Sequence, residues 1–166
     1  PRDRRAGMQV KSRHHLRSDE IEELETSLAD HLGIDLDGTD YERVEFTDTD
    51  REVVLVDGEP LVASFDDDLF VTVQGANEYP PKNHVVTVDS GAISFVSDGA
   101  NVMRPGITDA TDDIEPGDLV VIVEENHEKA LAIGRAETDG DDMVGESGKV
   151  VESLHHVGDD LYEFHV

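Results

Sequence analysis

Short apolar runs separated by turn signals are the feature that most constrains the fold of this 166-residue chain. The runs Val53–Val56, Leu69–Val73 and Leu119–Val123 are short and rich in β-branched and aromatic residues, as strands are. Turn-forming pairs such as Asp57-Gly58 and Pro116-Gly117 lie beside them. The pattern therefore predicts a globular protein made of many short strands.

Charge is the second constraint. Forty acidic residues face 13 basic ones, which gives a net charge of −27. Such a surface repels itself in dilute buffer, whereas molar salt shortens the Debye length to about 3 Å and screens the repulsion. Because the acidic residues are spread over both halves, we interpret them as an adaptation to a salt-filled cytoplasm. The alternative is an acidic surface that binds cations or basic partners.

Several kinds of chemistry have no counterpart in the sequence. The chain has no cysteine, which excludes disulfides and thiolate sites. It contains no phosphate-binding loop, nucleophile elbow or dinucleotide-binding fingerprint. The pairs His14-His15 and His155-His156 lack the spacing of metal ligands, and neighbours on a strand point to opposite faces. We therefore expect no enzymatic activity, no metal ion and no cofactor.

The chain also lacks membrane and export signals. No apolar run approaches the length of a membrane span, and no secretory segment follows the N-terminus. We expect a cytoplasmic protein that does not associate with membranes and acts as a monomer.

Residues 1–17 differ in charge from everything that follows. They hold six basic residues and one acidic residue in an otherwise acidic chain. This arm is predicted either to contact nucleic acid or to be a solvated terminus.

A single long helix is predicted after the arm. Ser18 is expected to be its N-cap, and Gly33 its C-cap. Between them, apolar residues recur at helical spacing, at Ile21, Leu24, Leu28 and Leu32. This pattern indicates an amphipathic helix of about 15 residues that packs against a core.

The remaining segments divide the chain into two units. Strands over Val44–Thr47, Glu52–Val56, Leu61–Phe65 and Leu69–Gln74 form an antiparallel meander with a hairpin turn at Asp57-Gly58. Residues 75–83 have the composition of a turn, so we place a domain boundary near residue 84. The first domain then covers residues 8–84 and the second covers residues 85–166.

The second unit is predicted to be a small β-barrel with one short helix over residues 91–98. Its apolar runs and strands are Val85–Val88, Val102-Met103, Leu119–Val123, Ala130–Ile133 and Lys149–Glu152, and Leu161–Phe164 closes it.

Five ordered blocks in this unit carry a resemblance. They are Val88–Ile93, Gly99–Ile107, Pro116–Val120, Ala130–Gly134, and Gly148–Val151 with His155–Asp159. Together they resemble the PUA domain, an RNA-binding pseudobarrel. The first half adds Lys11–His14, the amphipathic helix, Val56–Leu61 and Tyr79-Pro80, which resemble the N-terminal domain of the family of archaeal PUA proteins, malignant T-cell-amplified-sequence proteins and ligatin. The chain looks like an acidic, haloarchaeal-type member.

The resemblance implies an α+β fold, with a small mixed α/β N-terminal domain followed by a PUA pseudobarrel that is mostly β with a short helix. It also implies a role in translation. The RNA partner would be tRNA, at its acceptor end, or rRNA in the small ribosomal subunit, during initiation, re-initiation or recycling. A protein with a SUI domain is the implied protein partner.

The expected RNA contacts combine backbone and cationic groups. Glycine at a strand–helix junction lets an RNA backbone approach closely, and the start of a helix offers free N–H groups to a phosphate. Cations retained in a chain so poor in them are the other candidates. Glycines that only form tight turns and arginines in surface salt bridges are the alternatives. The predicted contacts are Ser90, Gly91, Ala92, Arg104, Pro105, Gly106, Arg135 and Lys149, with Lys11 and Arg13 in the arm.

Two other functions remain open at this stage. One is an RNA-binding accessory module for tRNA or rRNA modification, and the other is a protein-interaction subunit without RNA binding. The first half is short for a catalytic domain and shows no nucleophile, which favours translation over modification.

Overall fold

Eleven strands form two sheets in the computed structural model, which describes residues 8–166. The first sheet has the strand order β1-β2-β3-β4-β5 and is antiparallel throughout. The elements of this half are β1 (Val10–His15), α1 (Ser18–Leu32), β2 (Tyr41–Phe46), β3 (Val53–Val56), β4 (Glu59–Phe65), β5 (Asp68–Val71) and α2 (Val73–Glu78).

The second sheet has six strands in the order β7-β11-β10-β9-β6-β8. Strands β6 and β9 pair in parallel, and the other pairs are antiparallel. The elements are β6 (Val85–Val88), a 3₁₀ turn (Ser90–Ala92), α3 (Ile93–Ser97), β7 (Val102–Met103), β8 (Ile107–Ala110), β9 (Leu119–Glu124), β10 (Ala130–Ala136), β11 (Lys149–His156) and α4 (Asp160–Glu163).

Helix α1 has the predicted length and the predicted C-cap. Leu24, Leu28 and Leu32 are buried, and Gly33 ends the helix in the left-handed region at φ 70°. The N-cap prediction was wrong by one residue. Ser18 is the first helical residue, and Arg17 is the cap because its backbone N–H donates to Glu20 Oε1 at 2.9 Å.

The β3–β4 hairpin forms as predicted at Asp57-Gly58. Both residues have positive φ, at 52° and 86°, which fits the tight turn that matches strand twist. The strand predicted to continue to Gln74 was wrong at its end. The Thr72 hydroxyl donates to Pro60 O at 2.8 Å and accepts the Gly75 N–H at 3.0 Å, so it caps α2 and ends the strand.

Strand β9 is buried on both of its faces, which explains its unbroken apolar sequence. Leu119, Val121 and Val123 belong to a core cluster that includes α1 and the first sheet. Val120 and Ile122 point the other way, into a second cluster enclosed by β6, β10 and β11. The two sheets therefore share one hydrophobic core cluster, which contains residues from both sides of residue 84. The division of the chain into two domains at that residue stays a prediction.

A buried histidine joins the two halves directly. His155 is fully buried, and its Nε2 accepts the Val73 N–H at 3.1 Å. Because a backbone N–H can only donate, the proton of the ring must be on Nδ1, 2.9 Å from the Asp159 carboxylate. The ring also stacks on Phe65, with centroids 6.1 Å apart.

The two neighbouring histidines point to opposite faces, as predicted. His156 packs beside Gly99, where an added Cβ would lie 2.7 Å from Nε2. Since Gly99 also has φ +97°, it serves a tight turn. Within residues 8–166, no helix is long and apolar enough to cross a membrane.

Candidate nucleic-acid interface

An open groove of about 440 Å³ lies where helix α3 meets the segment around β7. One wall comes from the turn and helix that follow β6, and the other comes from residues 100–106. Four of the predicted contact residues line this groove together: Gly91, Ala92, Pro105 and Gly106. The structure therefore brings the two main predicted blocks of the second half to one place.

The groove wall is apolar, and two of its side chains are unusually exposed. Phe95 on α3 is 66% exposed and Met103 on β7 is 47% exposed. Exposed aromatic and thioether side chains beside a groove are typical of a contact surface. Sequence reasoning missed both, because their exposure depends on how α3 and β7 are placed in the fold.

Close backbone packing explains one of the two glycines in the groove. Gly106 O accepts the Asp89 N–H at 2.9 Å, and a Cβ on Gly106 would lie 3.1 Å from the Ala92 Cβ. At Gly91 an added Cβ would meet only Asp89 Oδ1, at 3.4 Å, which is an ordinary contact. The missing side chain at Gly91 therefore leaves the groove open without being needed for a turn.

The expectation of free N–H groups at the start of the helix was wrong for Ser90 and Ala92. The Ser90 N–H donates to Glu125 Oε2 at 3.0 Å, and the Ala92 N–H donates to Asp89 Oδ1 at 3.0 Å. Both donors are thus satisfied by carboxylates of the protein itself. These carboxylates also bring negative charge to the groove, which disfavours a phosphate there.

The last residue of β9, Glu124, adds a further carboxylate to this end of the sheet. Backbone N–H groups of His127 and Asn126 hold the pKa of Glu124 below its usual value. Glu124 therefore stays ionised beside the turn that supplies Glu125 to Ser90.

The two nearest cations are already engaged. Arg104 lies between Met103 and Pro105, but its guanidinium donates to the loop that follows β10, at Asp142 and Ser147. Lys149 stands opposite Met103 in the β11–β7 ladder, so the two side chains share a face, and its Nζ lies 3.2 Å from Glu137 Oε2.

The other predicted cations lie elsewhere. Arg135 lines a different cavity, of about 470 Å³, between α1 and the second sheet, and donates to Gly117 O at 2.6 Å. Lys11 and Arg13 belong to β1, an edge strand of the first sheet, where Arg13 Nη2 is 2.7 Å from Glu42 Oε1. Arg2, Arg4 and Arg5 of the basic arm lie outside the described residues. The predicted contacts therefore do not form a single face.

Residues 8–166 contain no group of three or more His, Asp or Glu side chains placed to hold a metal ion.

Comparison with protein families places the groove in a known domain. The model of the PUA domain matches residues 84–158, which include both walls of the groove. The solved structure of a conserved PUA domain protein from Thermoplasma acidophilum superimposes with a TM-score of 0.79 at 28% identity, covering 91% of this chain and 97% of that one. A hypothetical protein, PH0734.1 of Pyrococcus horikoshii, also gives 0.79 at 29% identity, covering 92% and 98%. The expected PUA pseudobarrel with an α+β fold is confirmed.

Comparison of sequences extends the similarity into the first half. Protein MJ1432 of Methanocaldococcus jannaschii is 40% identical over 116 residues, which cover 69% of this chain and 72% of that protein. Translation machinery-associated protein 20 of Saccharomyces cerevisiae is 40% identical over 118 residues, covering 67% and 65%. Malignant T-cell-amplified sequence 1-B of Xenopus laevis is 31% identical over 116 residues, covering 67% and 64%. The chain thus spans slightly under two thirds of the length of the eukaryotic relatives.

Proposed function

Because this chain is a PUA-domain protein of one family with MJ1432 and the malignant T-cell-amplified sequence proteins, we propose that it binds RNA and works in translation. The name of the yeast relative, translation machinery-associated protein 20, supports the second part. The proposed role is binding without catalysis, in the cytoplasm, as a monomer.

The observation that carries the proposal is the apolar groove with its two exposed side chains. Phe95 offers an aromatic face, and Met103 offers a flexible, polarisable surface. Single-stranded RNA presents unstacked bases that bind to such surfaces, whereas a duplex hides them. The groove therefore fits a base near an unpaired RNA end.

The charges around the groove also favour a base over a phosphate. The Glu125 and Asp89 carboxylates accept the N–H groups of Ser90 and Ala92, which would otherwise be available to an anion. Binding that depends on stacking and shape loses little affinity in salt, whereas phosphate contacts weaken steeply with salt. This is the kind of recognition that suits a protein with a net charge of −27.

Phe95→Ala tests the groove directly. Removing one base-stacking aromatic costs on the order of 1–3 kcal/mol of binding free energy. Affinity for a short single-stranded RNA would be measured at a KCl concentration that keeps the protein folded. Val166→Ala is the matched control, because Val166 is also an exposed apolar residue, 52% exposed, and does not line the groove. Equal affinities of the two variants would contradict the proposal.

The RNA target can be proposed more specifically. We propose the acceptor end of tRNA or rRNA of the small ribosomal subunit as the target, with a SUI-domain protein as partner. Ultraviolet crosslinking in cells at their native salt, followed by sequencing of the bound RNA, would identify it. Recovery of tRNA or small-subunit rRNA is the expected result, and recovery of proteins without RNA would contradict it.

A further inference from the structure

Arg104 is enclosed by a loop that lies far from it in sequence. Its Nε donates to Asp142 O at 2.9 Å, its Nη1 to Ser147 O at 3.0 Å, and its Nη2 to Asp142 Oδ2 at 3.0 Å. These bonds use three of the five N–H groups of the guanidinium, two to Asp142 and one to Ser147. The side chain is 25% exposed, so it runs inside the loop formed by residues 142–148.

Two glycines of the loop let it close around the arginine. A Cβ on Gly145 would lie 2.9 Å from Arg104 Cδ, and a Cβ on Gly148 would lie 2.8 Å from Nη1. Gly148 also has φ +105°, a conformation that other residues rarely adopt. The loop is therefore shaped to this side chain, and a lysine, with one compact ammonium group, could not reach the same three acceptors.

The same loop is joined to the wall of the groove. The Arg104 N–H donates to Gly148 O at 2.8 Å, and the next residue, Lys149, pairs with Met103 in the β11–β7 ladder. Met103 and Pro105, the two neighbours of Arg104, both line the groove. Movement of the loop would therefore move this wall.

We propose that Arg104 is a positioning residue, which fixes the groove wall at Met103 and Pro105 by holding the loop of residues 142–148, and does not itself contact RNA phosphate. This rests on the proposed function of the groove in RNA binding. A positively charged residue beside an RNA groove would ordinarily be taken for a phosphate contact. The geometry points to a different role, because its donors face protein oxygens.

The two roles differ in how binding depends on salt. Loss of one phosphate contact makes the negative slope of log affinity against log salt less steep by about 0.7 for a single strand. Loss of a positioning residue lowers affinity at every salt concentration and leaves that slope unchanged. The charge-retaining variant separates them as well, since a lysine still attracts a phosphate but cannot hold the loop.

The experiment uses Arg104→Lys and Arg104→Met in the whole chain, with Arg43→Lys as the matched control. Arg43 is buried to the same degree, 26% exposed, and is held by Glu20 at 3.1 Å and Glu52 at 3.3 Å, away from the groove. Amide hydrogen exchange of residues 142–148 would be measured without RNA. Affinity for a short single-stranded RNA would be measured over a series of KCl concentrations.

We expect the loop amides of both Arg104 variants to exchange hydrogen faster than those of the parent protein. We also expect both variants to bind RNA about tenfold more weakly, with an unchanged slope of log affinity against log salt. Arg43→Lys should change neither quantity. The positioning role would be wrong if Arg104→Lys bound RNA as tightly as the parent protein. It would also be wrong if Arg104→Met made the slope of log affinity against log salt less steep. If the parent protein bound no RNA, the proposed function would be wrong. If amide exchange of residues 142–148 were unchanged in the Arg104 variants, Arg104 would not hold the loop, whatever the RNA result.

Discussion

Replacing His155 by leucine tests how the two halves of the molecule are held together. The change removes the acceptor of the buried Val73 N–H and the hydrogen bond from Nδ1 to Asp159. An orphaned buried donor costs about 1–3 kcal/mol, and a hydrogen bond to a charged group contributes about 1.5–3 kcal/mol. Leucine recovers part of this by filling the apolar site beside Phe65.

The net loss of unfolding free energy should be about 3 kcal/mol. For a chain of this size that corresponds to a melting temperature lower by about 6–12 °C. Thermal and urea unfolding followed by circular dichroism would measure it at high KCl. His127→Leu is the control, because the His127 side chain is 81% exposed and its replacement should matter little. A difference of less than about 1 kcal/mol between the two variants would show that the buried His155 contacts do not hold the two halves together.

Three further predictions concern stability. Burial lowers the pKa of His155, although Asp159 opposes the shift, so the unfolded chain binds this proton more readily. The stability that His155 contributes is therefore complete above its pKa in the unfolded chain, about 6.5, and is lost as the pH falls through its pKa in the folded protein. His155→Leu should flatten the dependence of unfolding free energy on pH, measured by urea unfolding. In Gly75→Ala the new Cβ would overlap the backbone oxygen of Leu61, so the variant should lose at least about 1–3 kcal/mol of unfolding free energy. An unchanged urea midpoint would show that the two groups do not meet. Because the net charge is −27, the melting temperature should rise steadily with KCl concentration, and a melting temperature independent of salt would contradict the interpretation of the acidic surface.

Local turn and cap signals in the sequence were enough to predict where helix α1 ends and where the β3–β4 hairpin turns. Helix α1 ends at Gly33 and the β3–β4 hairpin turns at Asp57-Gly58, because each needs a left-handed or glycine-rich backbone at that position. Strand β8 was missed, since no strand was predicted between Val102-Met103 and Leu119–Val123, whereas the chain resumes pairing at Ile107. Helix α2 was missed because the cap at Thr72 depends on Pro60, which is distant in sequence.

The candidate site was predictable only in part. Gly91, Ala92, Pro105 and Gly106 were found from their blocks, and the fold brings them together. Phe95 and Met103 carry no signal in sequence, because short apolar segments give no indication of which side chain stays exposed. The hydrogen bonds of Arg104 to the loop could not be predicted either, since its acceptors lie 38 and 43 residues further along the chain.

The most direct test of the account is to map the RNA-binding surface in solution. A short single-stranded RNA with a free end would be titrated into the isotopically labelled protein at high KCl, and amide resonances would be followed by NMR. If RNA binds in the groove, saturable shifts are expected at Gly91, Phe95 and Gly106, with little change at Lys11 and Arg13 of β1. Shifts confined to β1, or no saturable shift at any concentration, would contradict it.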